Sequence, residues 1–442
     1  MNKINYLKLL ALTLLTFTSL ILISKPEAGE NNNLTFSNKA VILEQPKKYD
    51  PLLVIVLMVK NEEESIVATL KPYVEAGVQS YLIFDTGSTD QTIELAKNYL
   101  KENNITSWYI EQEPFVDFAT SRNRGLELAQ EKFPNAAFML MPDAEWYLNN
   151  TEGLLDYCKK HVDDKVNCYL VRITNPAIDF HTPRLIRCNK NVKFVGAVHE
   201  VPNVSTRAKV PENIFFYLNP TARGAQKSQA RYSRDLELLL KDYRQDKTNS
   251  RACFYLAQTY HCLGDLPNAY KYYKKRTKLN GWDEENYMAY YRLAQVTEEL
   301  SKINNKQENI KFNKKWQEAL KYFLKAHTKL PRRAEPLVKI AEHYLYQNNF
   351  PLAYLFAKRA IEIPYPANDV LFIDKDLYVY KRYELLSRCA WYIGEFEVGE
   401  EAAIKAIKAK PDLPHLQFNL KFYEERKKRM LQKNKINSKI TN

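Results

Sequence analysis

Glycine is scarce, with 11 in 442 residues. Loop-rich all-β proteins use glycine wherever a turn needs positive φ, so that class is excluded and helix is expected to dominate. The cysteines are few and badly spaced for chemistry: Cys158, Cys168, Cys188, Cys253, Cys262 and Cys389 form no CxxC pair and no disulfide scaffold. They read as buried thiols acting as small apolar side chains, and neither a metal nor a redox site is drawn from them. A long apolar run is missing too. The stretch from Leu9 to Ile23, broken only by Thr and Ser, is fifteen residues, below the roughly twenty that cross a bilayer untilted. It follows Lys3 and Lys8, and that order of basic then apolar reads as a signal peptide or a short signal anchor over residues 1–24. Membrane contact through the N-terminus, and a place in the secretory pathway or cell envelope, are the matching expectations. Residues 25–50, rich in Asn, Lys and Pro, read as a linker.

No nucleic-acid motif accompanies the formal charge of +13. From Lys421 to Asn442 eight Lys and Arg stand against Glu424 and Glu425, a surplus of six, so nearly half of the excess is a basic C-terminal helix or tail over residues 416–442. Specific nucleic-acid binding is not expected. What the chain does have is core-forming material. It is 45% hydrophobic, with 30 Tyr and 20 Phe, which excludes general disorder and suffices for two or three domains.

From Leu52 to Val59 the run LLVIVLMV suits a strand buried on both faces. Asn61, three residues before Glu64, reads as a capping box opening a helix to about Val74. SYLIFD (Ser80–Asp85) is a second strand, with a turn at Thr86 and Gly87 and Ser88 capping a helix from Asp90 to about Leu100. SWYIEQ, AAFMLM and NCYLVRI add strands, with a helix from about Ala119 to Glu131 between the first two. The alternation predicts an α/β domain with a mostly parallel sheet over residues 51–215.

Beyond a connecting helical segment, 216–249, small and aromatic residues repeat. The series Ala257, Tyr260, Gly264, Ala269, Tyr273 shares its offsets with Ala341, Tyr344, Asn348, Ala353, Ala357 and with Ser387, Ala390, Gly394, Gly399, Ala403. Ala294, Ala319, Phe323 and Ala326 fall between, interrupted by a polar insertion near 301–314. Stacked helix pairs need such small residues where helices approach closely, so an all-α solenoid is expected over 250–415.

Ligands of open α/β sheets sit beyond the carboxyl ends of the strands. There the sequence places Glu62 after the first strand, Asp85 and Asp90 around the second, and Asp143 and Glu145 after AAFMLM. Converging carboxylates are unfavourable unless they meet a cation or hydrogen-bond donors. Asp143 and Glu145, one residue apart, point to one side if the segment is extended and can then share a hard cation; the alternative is an acidic pair at a helix start.

The motifs VKNEE, FDTGSTDQT, SRNRG and MPDAEW together resemble the GT-A domain of family 2 glycosyltransferases over about residues 53–200, and the later stretch GWDEENYMAYYRLA resembles the region of those members that carry tetratricopeptide repeats. The resemblance implies a Rossmann-like GT-A fold and transfer of a sugar from a nucleotide-sugar donor, a UDP-sugar, with inversion at the anomeric carbon. It implies that Asp85 contacts the uracil, where the residues alone also allow an Asx-turn role. Arg122 lies near the nucleotide on this reading and can otherwise be a first-turn surface residue. Glu62, Asp85, Asp90, Arg122 and Asp143 make up the expected donor-binding set.

In the same family a D-x-D motif binds the metal. Here the residues are Asp143-Ala144-Glu145, a departure that lengthens one ligand by a methylene and leaves Mn2+ or Mg2+ as the expected cofactor. HTPRLIR and VGAVHE match a pattern of the repeat-bearing members on the acceptor side of the site. They suggest His199 as a third metal ligand or a structural residue, and Glu200 as general base. The acceptor is a protein, a glycan or a lipid, and the repeats are expected to offer a surface to a protein partner. The competing expectation is a tetratricopeptide scaffold carrying a degenerate transferase domain.

Overall fold

The computed structural model describes residues 49–175, 178–188, 191–219, 222–303 and 309–440. The expected signal segment, nearly all of the linker, and residues 304–308 of the polar insertion lie outside them. Among the described residues no helix is long and apolar enough to cross a membrane. The chain forms two compact units that divide between Asp246 and Lys247.

The first unit is built on a mixed sheet. Strands β1 (Leu53–Val59), β2 (Ser80–Asp85), β3 (Ser107–Gln112) and β4 (Phe138–Leu140) alternate with helices α1 (Ile66–Glu75), α2 (Thr92–Glu102) and α3 (Phe118–Lys132). These strands are parallel in the order β3-β2-β1-β4. β1 is central here, and its side chains are buried on both faces, as an apolar run without alternation demands. Phe84, Val56, Leu126, Ala129 and Met139 share one core cluster. Gly125 of α3 faces it, and a Cβ there would make only ordinary contact, 3.7 Å from Phe84 and Val56.

The remainder departs from the expected parallel pattern. β5 (Trp146–Asn149), helix α4 (Thr151–Lys160), β6 (Cys168–Asn175) and β7 (Ile178–Arg187) follow, and β7 enters antiparallel beside β4. The sheet continues β7-β6-β11-β5, with β10 (Arg207–Lys209) also on β6 and β11 spanning Phe215–Leu218. A separate two-stranded ribbon joins β8 (Phe194–Val195) to β9 (Val201–Pro202). Helix α5 (Ala222–Gln245) ends the unit. The chain leaves β1 for β2 and β3, then returns to the other side of β1 as β4. That reversal opens a crevice at the carboxyl ends of β1 and β4.

Two expected caps differ. α1 starts at Ile66 with Ser65 at its N-cap, and Asn61 instead adopts positive φ, accepting from Thr89 N–H at 2.7 Å and donating its own N–H to Ser88 Oγ at 2.9 Å. α2 starts at Thr92, where Asp90 accepts from the Thr92 N–H at 3.0 Å. Side chains read as local caps thus tie one loop to another, an alternative open to any Ser, Asn or Asp.

The second unit is a solenoid-like stack of helix pairs. α6 (Ser250–Cys262) packs with α7 (Leu266–Arg276), α8 (Asp283–Ile303) with α9 (Asn309–Lys329), α10 (Glu335–Tyr346) with α11 (Phe350–Ile361), and α12 (Arg382–Ile393) with α13 (Phe396–Ala409). A π-helical turn at Leu377–Lys381 leads into α12, and α14 (Pro414–Ile440) packs on α13. Ala257, Ala269, Ala294, Ala319, Ala341, Ala353 and Ala390 are all fully buried between helices. Gly264, Asn348 and Gly394, at one offset of the repeat, all take left-handed φ (+78°, +56° and +80°), so the same turn recurs between the helices of three pairs.

Candidate functional site

At the crevice between β1 and β4 the first two loops are fastened to each other. The Glu62 N–H donates to Thr92 Oγ1 at 2.6 Å, and the Gln91 N–H donates to the Glu63 carboxylate at 3.2 Å. Asp90 is engaged at the start of α2. Asp85, at the end of β2, is fully buried. Its carboxylate accepts from the Ser88 N–H at 3.1 Å, from the Ser88 hydroxyl, and from Gln112 Nε2 at 3.0 Å. These bonds close the Thr86-Gly87-Ser88 turn, in which Gly87 takes φ +103°. Of the two roles read for Asp85, the Asx-turn role is the one these contacts fill. Glu62, Asp85 and Asp90 thus lie in loops tied to one another, and each takes part in shaping them.

Charge concentrates one strand further on. Arg122, in the first turns of α3, is buried and donates through Nε to Glu200 and through Nη2 to Asp143. Arg184, on β7, is placed by backbone pairing, because the Met141 N–H donates to its carbonyl at 2.9 Å. Its Nη2 lies 3.4 Å from the other Asp143 oxygen and 3.5 Å from Glu200 Oε1. The four side chains make a cluster of two guanidiniums and two carboxylates.

The electrostatics follow from burial and proximity. Burial pushes the Asp143 carboxyl up, yet Arg122 and Arg184 outweigh it and hold the pKa below the ordinary carboxylate value. For Arg122 burial also opposes charge, and Asp143 and Glu200 reverse the sign, so its pKa is raised. Arg184 goes the other way. Burial and then the neighbouring Arg122 guanidinium lower its pKa, and the two carboxylates only partly compensate.

The segment around Asp143 is not extended. The Trp146 N–H returns to the Asp143 carbonyl at 3.3 Å and Glu145 takes φ +69°, so the alternation of an extended strand, from which a shared side was read, does not apply here. The Glu145 N–H donates to Thr69 Oγ1 at 3.2 Å. His199 is half-buried with φ +56°, next to the fully buried Glu200. Among the described residues no three His, Cys, Asp or Glu side chains come together as a metal-ligand group. With both Asp143 oxygens facing guanidiniums, a divalent cation there would meet two positive charges before it met a second carboxylate. As arranged, Asp143, Glu145 and His199 do not fit the expected Mn2+ or Mg2+.

No family model matches the chain. The SPbeta prophage-derived glycosyltransferase SunS of Bacillus subtilis (strain 168) is 23% identical over 248 residues, 54% of this chain and 56% of that protein. The glycosyltransferase SunS of Bacillus phage SPbeta matches to the same extent. The chain thus spans about half the length of the curated relatives it matches, and it is distantly related to glycosyltransferases. Among solved structures, a thermophilic TPR protein of Thermus thermophilus aligns over 45% of this chain and 93% of its own, at 16% identity and a TM-score of 0.32. MamA from residue 41 onward, of Desulfovibrio magneticus RS-1, aligns over 43% and 93%, at 16% identity and a TM-score of 0.31.

Three residues of the first unit carry more than their sequence context suggested. Arg184 sits in HTPRLIR, where nothing distinguishes it from Arg187; yet Arg187 donates to the carbonyls of Val162, Val166 and His161 and to the Tyr169 hydroxyl, stapling that loop to the sheet. Asn123, between Arg122 and Arg124, brackets the Phe194 backbone, accepting its N–H at 2.7 Å and donating to its carbonyl at 2.9 Å. That clamp sets the loop bearing His199 and Glu200 against α3. Asp235, on α5, is buried and feels Glu200. The spacing of apolar residues along α5 is the only sequence signal that would have turned Asp235 inward.

Proposed function

We propose that the first unit is a glycosyltransferase domain that moves a sugar from a nucleotide-sugar donor, a UDP-sugar, to an acceptor nucleophile with inversion. The observation that carries this reading is the cluster of Arg122, Asp143, Arg184 and Glu200 at the carboxyl edge between β1 and β4, in a chain distantly related to glycosyltransferases. In an inverting step the acceptor's lone pair forms the new bond to the anomeric carbon while the bond to the diphosphate breaks and its electron pair stays on the leaving group. The charge gathered there needs fixed cations. In this reading Glu62, Asp85 and Asp90 shape the loops against which the nucleoside rests. Glu200, buried against Arg122 and Arg184, orients these guanidiniums, and the acceptor's proton passes to solvent water. The metal expected from the resemblance takes no part in the step. The helix pairs of the second unit, on the same reading, receive a protein acceptor, with a glycan or lipid as the outcomes that would revise it.

The test is a panel of nucleotide sugars incubated with the full chain, scoring nucleotide release with and without Mn2+. Release from one UDP-sugar supports the proposal. The second reading, a repeat scaffold with a silent transferase domain, is favoured by the engagement of both Asp143 oxygens and expects no release from any donor.

A further inference from the structure

We propose that the Arg122–Arg184 pair is a metal-independent diphosphate site, which Asp143 closes in the free protein and vacates when the diphosphate arrives. The inference rests on the transferase reading only for the nucleoside attached to that diphosphate.

Three observations carry it. The first is accessibility within the cluster: the side chains of Arg122, Arg184 and Glu200 are 2%, 0% and 0% exposed, whereas that of Asp143 is 25% exposed. Asp143 is the one member that can leave toward solvent without unpacking the core. The second is an unused donor. Arg122 gives Nε to Glu200 and Nη2 to Asp143, while its buried Nη1 finds no hydrogen-bond partner among the described residues. Nη1 and Nη2 form the two-toothed end of the guanidinium fork, which matches a pair of phosphate oxygens. Asp143 engages one tooth and leaves the other empty.

The third is charge. With Asp143 turned away, the Arg122 and Arg184 guanidiniums keep Glu200 as their shared carboxylate, two positive charges to one negative at the sheet edge where ligands of such folds bind. Two adjacent guanidiniums do for a diphosphate what a divalent cation does elsewhere, and their presence explains why Asp143, Glu145 and His199 are not arranged as a ligand set. Asp143 is then a stand-in anion, and its removal should have the opposite effect from removal of a metal ligand.

The experiment is calorimetric titration of the full chain with inorganic pyrophosphate in EDTA at fixed ionic strength, with sulfate as the control anion. The wild type should bind pyrophosphate in preference to sulfate without metal. Asp143→Asn should bind it at least tenfold more tightly, and Arg184→Lys at least tenfold more weakly. Binding that appears only with Mn2+, or that weakens in Asp143→Asn, overturns the proposal in favour of a metal site; pyrophosphate binding no better than sulfate overturns it outright. Should Arg184→Lys fail to fold, Asp143→Asn decides alone, since it is the partly exposed member. Metal-free pyrophosphate binding without nucleotide release from any sugar donor would remove the transferase reading and leave the anion site standing.

Discussion

Arg122 in the sheet unit and Arg333 in the helical unit are both buried beside carboxylates, and they are used differently. Arg333 saturates its donors: Nε and Nη2 reach Glu335 at 3.0 and 2.6 Å, and Nη1 and Nη2 reach the carbonyls of Leu371 and Phe372 at 3.1 and 3.0 Å. Arg276 repeats the pattern one helix pair earlier, with Glu285 at 2.8 Å and the Leu279 carbonyl at 3.1 Å. These arginines join one helix pair to the next, and nothing is left for a ligand. Arg122 keeps one nitrogen unengaged, shares both of its carboxylates with a second arginine, and has one partner open to solvent. Between Arg122 and Arg333 the difference is donor saturation, more than burial.

The largest effect should come from breaking the saturated case. Arg333→Met leaves the Glu335 carboxylate buried with, among the described residues, the Tyr287 and Tyr378 hydroxyls as donors, at 3.2 and 2.8 Å. Stripping one partner from a buried ion pair costs about 3–5 kcal/mol. Urea unfolding of the full chain should show the transition of the helical unit moving by that amount; a shift below about 1 kcal/mol would mean that the junction is held by apolar packing alone.

A buried carboxylate of the sheet unit offers the converse. Asp235 has Arg231 Nε and Arg234 Nη2 each 3.9 Å away, beyond hydrogen-bond reach, where Glu335 has direct donors. Burial pushes its pKa up to about 6, with Glu200 adding to the push and the two arginines pulling against it. The folded state therefore favours the protonated form. Below the unfolded value that preference is fully expressed, and it is lost as the pH rises through the folded value near 6. Asp235→Asn should thus be more stable than the wild type at pH 8, by about 1–3 kcal/mol, with the difference shrinking as the pH falls from about 6 to 4. Chemical unfolding at pH 8, 6 and 4 checks this. A pH-independent difference would show that Asp235 remains ionised throughout.

Much of this comparison was legible in the sequence, and the part that was not has a physical reason. The unbroken run from Leu52 to Val59 marked a strand buried on both faces, and the recurring small residues marked helices that approach closely. Arg122, Asp143 and Glu200 were each singled out, but as parts of a nucleotide site, a metal site and a base. They lie 21 and 78 residues apart along the chain, and no periodic pattern reveals that they pair. Arg184 joins them because β7 enters antiparallel beside β4, a topological choice that alternating strands and helices do not announce. The extended geometry assumed for Asp143 and Glu145 failed at one backbone angle, the left-handed φ of Glu145. Asn61 and Ser88 had the right chemistry for caps and spend it on the opposite loop, Asn61 accepting from the Thr89 N–H and Ser88 from the Asn61 N–H, since side chains of that kind bond whichever backbone comes near.

The smallest expected effect sharpens the comparison most, because it holds the sequence neighbourhood constant. Arg124 lies two residues from Arg122 and is also surrounded by carboxylates: Glu113 at 2.9 Å, Glu131 at 3.7 Å and Glu127 at 3.8 Å. Its side chain is 37% exposed, and that of Glu113 is 40% exposed. Water and salt screen such pairs, and the long side chains lose rotamer freedom to form them, so the net contribution is at most about 1 kcal/mol. Arg124→Ala should leave the unfolding midpoint almost unchanged and pyrophosphate binding intact, with any effect fading in high salt. If Arg124→Ala instead lost pyrophosphate as Arg184→Lys is expected to, general positive charge along α3 would be drawing the anion. The distinction between saturated and unsaturated buried guanidiniums would then explain stability alone.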